Sequence, residues 1–223
     1  MRVLLESAML RLLLALALLG AGAMTHAQDR LELREALSVT GNTPSFPAAA
    51  DARLVTLPDE WARSRPGSAG PVWYRVVFDA RGVGASGELL GLYVERACAT
   101  IEVQLNGERV YVGGRLEPPL SRLCQRPQLV ALPAALLRAG SNTLDIKVVG
   151  YRLPAVASRQ RAGGLSALQL GRHADLYPQY AQRYRVQVLL PQLASAALLL
   201  TGAFMLLLGG VRREHAHLAY YGL

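Results

Sequence analysis

The sequence predicts an antiparallel β-sandwich followed by one transmembrane α-helix. Three observations carry that expectation. Short apolar runs of period two recur through the middle of the chain, turn residues punctuate it between them, and Val186 to Val211 carries no charged side chain. Period-two runs are half-buried strands, and many short strands with frequent turns and no long amphipathic helix indicate two packed antiparallel sheets.

The elements follow in order. Residues 1–27 have the three parts of a secretory signal: Arg2 and Arg11 first, an apolar block from Leu12 to Leu19, then small residues. Thr25-His26-Ala27 offers a cleavage site, with Ala21-Gly22-Ala23 as an alternative. An uncleaved membrane helix is the rival reading, for which the apolar block is short. Both readings send the next segment, residues 28–172, across a membrane.

Within that segment one strand is expected from Leu31 to Val39, then a turn-rich stretch marked by Asn42, Pro44, Pro47, Pro58, Pro66, Gly67 and Gly70. Val72, Tyr74, Val76 and Phe78 share one face of a strand, with Trp73 and Arg75 opposite. Leu90, Leu92 and Val94 make another. Ile101, Val103 and Leu105 lead into Asn106-Gly107, and Val110 and Val112 lead away. Asn-Gly between two alternating runs is a hairpin turn, because both positions must accept positive φ. Gln128 to Leu132 and Thr143 to Val149 are further strands, with Pro133 to Leu137 a helical turn closed by Gly140. Tyr151 to Gly171 reads as loop, with Gly163-Gly164 a turn. Residues 173–185 form a juxtamembrane connector holding Tyr177, Tyr180 and Tyr184, rings that suit either a membrane–water boundary or packing on the sandwich.

As a helix, residues 186–211 would be about 39 Å long, against about 30 Å of bilayer hydrocarbon. Pro191 lies near its outer end. Arg183 and Arg185 on one flank and Arg212 and Arg213 on the other leave the positive-inside count tied. The signal breaks the tie, placing residues 28–185 in the periplasm of a bacterium and the helix in the inner membrane. Residues 212–223 then form a cytoplasmic turn and the opening of a second membrane helix.

The formal charge of +8 is almost entirely arginine, Lys147 being the single lysine. No arginine cluster interleaves with aromatics on one element, so nucleic acid is excluded as a partner. Cys98 and Cys124 are the two cysteines, and an even pair in an exported domain forms a disulfide. His173 is the single histidine between signal and membrane helix, which leaves no metal set, and no cofactor is expected. Gly82-Val83-Gly84-Ala85-Ser86-Gly87 matches a dinucleotide fingerprint but precedes a strand rather than a helix, and so reads as a hairpin loop. His215 and His217 are two apart and diverge on a helix. Neither a G-x-S-x-G elbow nor a Walker loop occurs. Arg96, Arg122 and Arg126, with Tyr93 and Tyr111, are a candidate site for a carboxylate or a sugar near the cysteines. Ordinary surface arginines are the rival reading.

Several phrases fall at ordered spacing. They are Trp73-Tyr74-Arg75-Val76-Val77-Phe78, Leu105-Asn106-Gly107 with Val110, and Leu132-Pro133 through Leu136-Leu137 to Gly140-Ser141-Asn142-Thr143-Leu144. Together they resemble the sugar-binding jelly-roll domain of family 2 glycoside hydrolases, which is galactose-binding-like and non-catalytic. Adding Gly113-Gly114, Arg126-Pro127 and the run from Gly163-Gly164-Leu165 to Tyr184, the chain is similar to the periplasmic input region of proteobacterial sensor histidine kinases. Seven-transmembrane receptors with diverse intracellular signalling modules share a related arrangement.

The resemblance implies a jelly-roll sensory domain of a two-component receptor, binding an unknown small molecule, carbohydrate or envelope protein, and compatible with a homodimer. Catalysis by a kinase, or less commonly a diguanylate cyclase, would then belong to residues beyond these, and the chain would be a fragment of that receptor. The alternative is a membrane-anchored carbohydrate-binding or envelope-interaction module without signalling output. An envelope glycosidase would need a catalytic barrel that about 150 exported residues cannot hold.

Overall fold

A computed structural model describes residues 30–68, 70–82, 88–158 and 162–211. The expected signal at 1–27, most of the glycine-rich loop (83–87) and the tail at 212–223 lie outside the described residues.

The first strands are β1 (Leu31–Leu33), β2 (Glu35–Thr40), β3 (Arg53–Thr56) and β4 (Asp59–Glu60), followed by one helical turn, α1 (Trp61–Ser64). Next come β5 (Gly70–Asp79), β6 (Leu90–Val94), β7 (Ala97–Cys98), β8 (Thr100–Leu105) and β9 (Glu108–Gly113). The last strands are β10 (Gln128–Leu132), β11 (Ser141–Gly150), β12 (Gly164–Leu165) and β13 (Leu168–Arg172). The chain ends in helix: α2 (His173–Tyr184), a π-helical turn (Arg185–Leu189) and α3 (Leu190–Val211).

These strands form a four-stranded sheet, β1-β13-β6-β10, a six-stranded sheet, β3-β2-β5-β11-β8-β9, and a small one, β4-β12-β7. Every pairing among the described residues is antiparallel. The core lies between the two larger sheets. Val72, Tyr74, Val76 and Phe78 of β5 face Leu92, Val94, Val130, Leu132 and Leu170 of the opposing sheet in one buried cluster. Each such side chain stabilises the fold by about 1.5–3 kcal/mol through burial. The fold is the mainly β sandwich that the alternation implies.

Three expectations need correcting. The strand from Leu31 to Val39 is two strands, divided at Arg34 and belonging to different sheets. Its carbonyl accepts from the Leu57 amide at 2.7 Å instead of from a ladder, so the chain changes layer there. The burial of Leu33 and then Ala36, three apart, is the local trace of that change. Gly163-Gly164 is no turn. Gly164 opens β12, and Gly163 lies flat on the Trp61 indole, where a Cβ would come within 2.1 Å of the ring. The stretch from Tyr151 to Gly171 is not loop throughout, because it holds β12 and most of β13, whose Leu168 and Leu170 are wholly buried between β1 and β6. The connector at 173–185, whose secondary structure the sequence left open, is helical. Leu176 is wholly buried against the four-stranded sheet, and Gly91 lets the start of α2 approach, since a Cβ there would stand 3.1 Å from His173 Cα.

Beyond the π turn, α3 leaves the sandwich. Leu198, Leu199 and Leu200 are 73%, 75% and 73% exposed. The helical run His173–Leu208 is long and apolar enough to cross a membrane. Tyr177, Tyr180 and Tyr184 form one stripe on α2 with ring centroids 6.1 and 5.9 Å apart; Tyr177 is exposed and the other two are half-buried.

Candidate functional site: the joint between sandwich and helix

Because α2 is pinned at its start by Gly91 and Leu176, its second half and the π turn overhang the chain leaving β6 and the loop before β10. A cleft of about 480 Å³ opens there, lined among others by Arg34, Glu95, Arg96, Gln125, Arg183 and Gln187. A smaller one, about 330 Å³, runs under the helix between Tyr93, Glu95, Gln179, Gln182 and Arg183. Arg183 pairs with Glu95. The Gln187 amide, in the orientation that satisfies both its ends, donates to the Gln125 carbonyl oxygen at 3.1 Å and accepts from Arg183 Nε at 2.8 Å. Val188 is buried at the same junction. The cleft walls are electrically balanced, because Arg34 stands 2.9 Å from Glu32 and Arg96 stands 3.5 Å from Glu60.

The disulfide joins Cys98 at the end of β7 to Cys124, with 4.4 Å between Cα atoms. The residues around it are spread over several places. Arg96 lines the joint cleft. Arg122 lines a different cavity, about 550 Å³, together with Ala99, Tyr151 and Val156, and Cys124 and Gln125 border both. Tyr93 is buried beneath α2; burial first, then the Glu95 charge, pushes its phenol upward from the ordinary range. Tyr111 belongs to the other sheet and donates its hydroxyl to Gln128 Oε1; burial raises its phenol too. Arg126 closes a turn, its amide donating to the Leu123 carbonyl at 2.8 Å. Strand alternation and sheet membership separate residues that sequence proximity had grouped.

Asn106 and Gly107 occupy the turn between β8 and β9 at φ 53° and 93°. The Asn106 side chain also donates to the Leu136 carbonyl (2.7 Å) and accepts from the Thr143 amide (2.9 Å), so this turn pins two neighbouring segments.

Sequence reasoning missed a buried polar cluster beside the small sheet. Asp59 accepts from Arg65 Nη2 at 2.6 Å, from the Tyr74 hydroxyl at 2.7 Å and from Ser64 Oγ at 2.5 Å. Trp61 Nε1 donates to the Tyr74 hydroxyl at 2.7 Å. Burial, and then the Asp59 charge, drive the Tyr74 phenol far above its ordinary value. Asp59, Trp61 and Arg65 lie in turn-rich sequence with no period to mark them, and of the group only Tyr74 sits on a strand face that alternation identifies. Among the described residues, no group of three or more His, Cys, Asp or Glu is placed to hold a metal ion.

No protein-family model matches the chain, and no curated protein is matched either. Among solved structures it is similar to a β-glucuronidase from Faecalibacterium prausnitzii, with a TM-score of 0.45 and 14% identity over 66% of this chain and 32% of that one. It is also similar to a family 2 β-galacturonidase from Eisenbergiella tayi (TM-score 0.45, 16% identity, 64% of this chain and 24% of that one). A β-D-mannosidase from Dictyoglomus thermophilum gives a TM-score of 0.44 and 13% identity over 65% and 23%. The chain therefore spans a third or less of the length of these proteins. Family 2 glycoside hydrolases, to which the motifs of the sandwich pointed, recur here, and none of these structures bears on a histidine kinase. At TM-scores below 0.5 the likeness assigns no activity to this chain.

Proposed function

We propose that the chain is a membrane-anchored, non-catalytic binding module whose β-sandwich stands in the periplasm of a bacterium and takes a carbohydrate or an envelope protein. One observation carries this reading: α2 is docked on the sandwich and runs without a break into α3, whose leucines are bare on the outside. An uncovered apolar helix about 33 Å long matches the thickness of a bilayer. The Cys98–Cys124 disulfide suits an oxidising compartment. Two of the buried carboxylates are already committed, Asp59 to Arg65, Tyr74 and Ser64, and Asp145 to a two-pronged pair with Arg75 at 2.7 and 2.8 Å. That occupancy favours binding over acid–base chemistry.

The test is topological. Alkaline phosphatase fused after Gly171 of the chain should be active in cells, and the intact chain should stay with membranes through an alkaline carbonate wash. A fusion active only as cytoplasmic β-galactosidase, or a chain released by carbonate, overturns the proposal.

A second reading, the sensory input region of a two-component receptor, is favoured by the clasp at the joint. Arg183, Gln187, Glu95 and Gln125 couple the sandwich to the end of α2 and the π turn, immediately before α3. A ligand shifts such a joint only by its difference in affinity for two states. Reading the gene past the codon for Leu223 separates the two: further membrane segments and a kinase or cyclase domain support the receptor, and a stop codon supports the anchor.

A further inference from the structure

The outer face of the six-stranded sheet, turned away from the core, is unusually polar and is nonetheless buried. Register places Trp73, Lys147 and Glu102 in one row across β5, β11 and β8, and Arg75, Asp145 and Gln104 in the next. Trp73, Glu102, Gln104 and Asp145 are all buried. Against Trp73, Arg75, Gln104 and Lys147 lies a segment without regular structure, Gly41-Asn42-Thr43-Pro44-Ser45-Phe46-Pro47, which follows β2.

The segment is held as a ligand would be. Gln104 Nε2 donates to the Pro44 carbonyl at 2.7 Å and Lys147 Nζ donates to the Thr43 carbonyl at 3.2 Å. The Phe46 ring is buried beneath the Arg75 guanidinium, 4.1 Å from the ring centroid, and shares a small cluster with Trp73 and Val39. One backbone bond, from the Gly41 amide to the Pro71 carbonyl at 3.2 Å, ties the start of the segment to the beginning of β5, an inner strand of the sheet.

The fit is incomplete in an informative way. Trp73 Nε1 and Gln104 Oε1 are buried and have no hydrogen-bond partner among the described residues. A buried polar atom left unpaired forfeits its hydration without a replacement, which disfavours the closed strap. Gln104 presents its amide N–H to the strap and has an acceptor to spare, yet Pro44 and Pro47 have no N–H to give. The strap supplies carbonyls and an aromatic ring where the face also asks for a donor.

We propose that this face is a peptide-binding site and that residues 41–47 are its resident pseudo-ligand, displaced by an extended aromatic-containing segment of a partner protein. The partner offers a backbone carbonyl to Lys147 or Trp73 Nε1, a backbone N–H to Gln104 Oε1, and a ring to Arg75. The proposal rests on the binding-module reading above and narrows its ligand to an extended peptide. Because the strap occupies the site, the apparent affinity of a partner is its intrinsic affinity reduced by the fraction of molecules with the strap open.

Two peptides serve as probes against the full chain in detergent micelles. One copies residues 41–48 and the other replaces both of its prolines by alanine, restoring two N–H groups. Fluorescence anisotropy should show binding to Phe46→Ala, whose own strap is weakened, more tightly than to the unmodified chain. The alanine peptide should bind about fivefold more tightly than the strap copy, the worth of one net hydrogen bond. Gln104→Leu in the Phe46→Ala background should abolish that preference.

Should Phe46→Ala fail to fold, the unmodified chain still decides. Saturating alanine peptide should speed hydrogen exchange at Asn42, Thr43 and Phe46 and leave β5 and β11 unchanged. Absence of binding to either protein at about 1 mM peptide, a range that would detect even weak complexes, overturns the proposal. So does strap exchange as slow as that of β5, or a preference for the alanine peptide that survives Gln104→Leu. None of these outcomes touches the topological test, so the anchor can stand if the peptide site falls.

Discussion

Asp59 is the hub of the buried cluster beside the small sheet, accepting from Ser64, Arg65 and Tyr74. Asp59→Asn would leave the buried Arg65 guanidinium without its charge partner, and removing one member of a buried pair costs about 3–5 kcal/mol. Thermal unfolding in detergent should register it as a large drop in Tm. Asp79→Asn is the control, because its Arg81 pair is solvent-exposed and screened, so Tm should stay nearly unchanged. Tyr74 gives the pH dependence. Its phenol stays protonated in the folded chain while the unfolded chain loses its proton near the ordinary value of 10.0. The folded state then binds more protons, so stability is intact below pH 10.0 and falls as pH rises above it. Tyr74→Phe should flatten that alkaline decline in urea titrations while lowering stability at neutral pH by about 1–3 kcal/mol, since Asp59 and Trp61 lose a partner. Of this, only the strand face of Tyr74 was legible in the sequence. A polar cluster assembled from the two-residue β4, a helical turn and β5 has no period, and its other members declare themselves only when the layers close.

At the scale of elements, what could be read was what repeats. Strand alternation in β5, β6, β8 and β11 was visible because core-facing positions take apolar residues at every second place, although β6 and β8 prove to be buried on both faces. Asn106-Gly107 was visible because its backbone demands φ above zero at both positions. By contrast, α2 escaped notice: Pro178 lies within it and a single wholly buried residue, Leu176, anchors it, too little for a helical period to emerge. The change of sheet at Arg34 escaped for a related reason, since alternation predicts a strand but not which layer receives it. Two predictions belong here. Replacing Cys98 and Cys124 together by serine opens a 26-residue separation and should lower stability by about 3.5 kcal/mol on the chain-entropy model, read by urea unfolding. Gly163→Ala should be worse than its size suggests, because its Cβ would lie 2.1 Å from the Trp61 ring; overpacking of this kind costs about 1–3 kcal/mol.

For the whole molecule, the contrast between a stitched sandwich and a bare helix is the feature that function must use. The apolar length of α3 was plain from the sequence, whereas its direct continuity with a docked helix was not, because residues 173–185 look like a linker when read alone. If α3 crosses a bilayer, Leu199→Arg near its middle should cost about 2.5–3.5 kcal/mol of insertion. A glycosylation-based insertion assay would read that as a fall in the membrane-spanning fraction, and an unchanged fraction would count against the span.

The order of strands carries one more consequence. β13 feeds α2, and in its sheet it lies between β1 and β6 rather than at a margin. Leu170 is held by Leu31 on one side and Leu92 on the other. Any tug along the rod is therefore shared by two ladders at once, and the body cannot be peeled from its stalk one bond at a time.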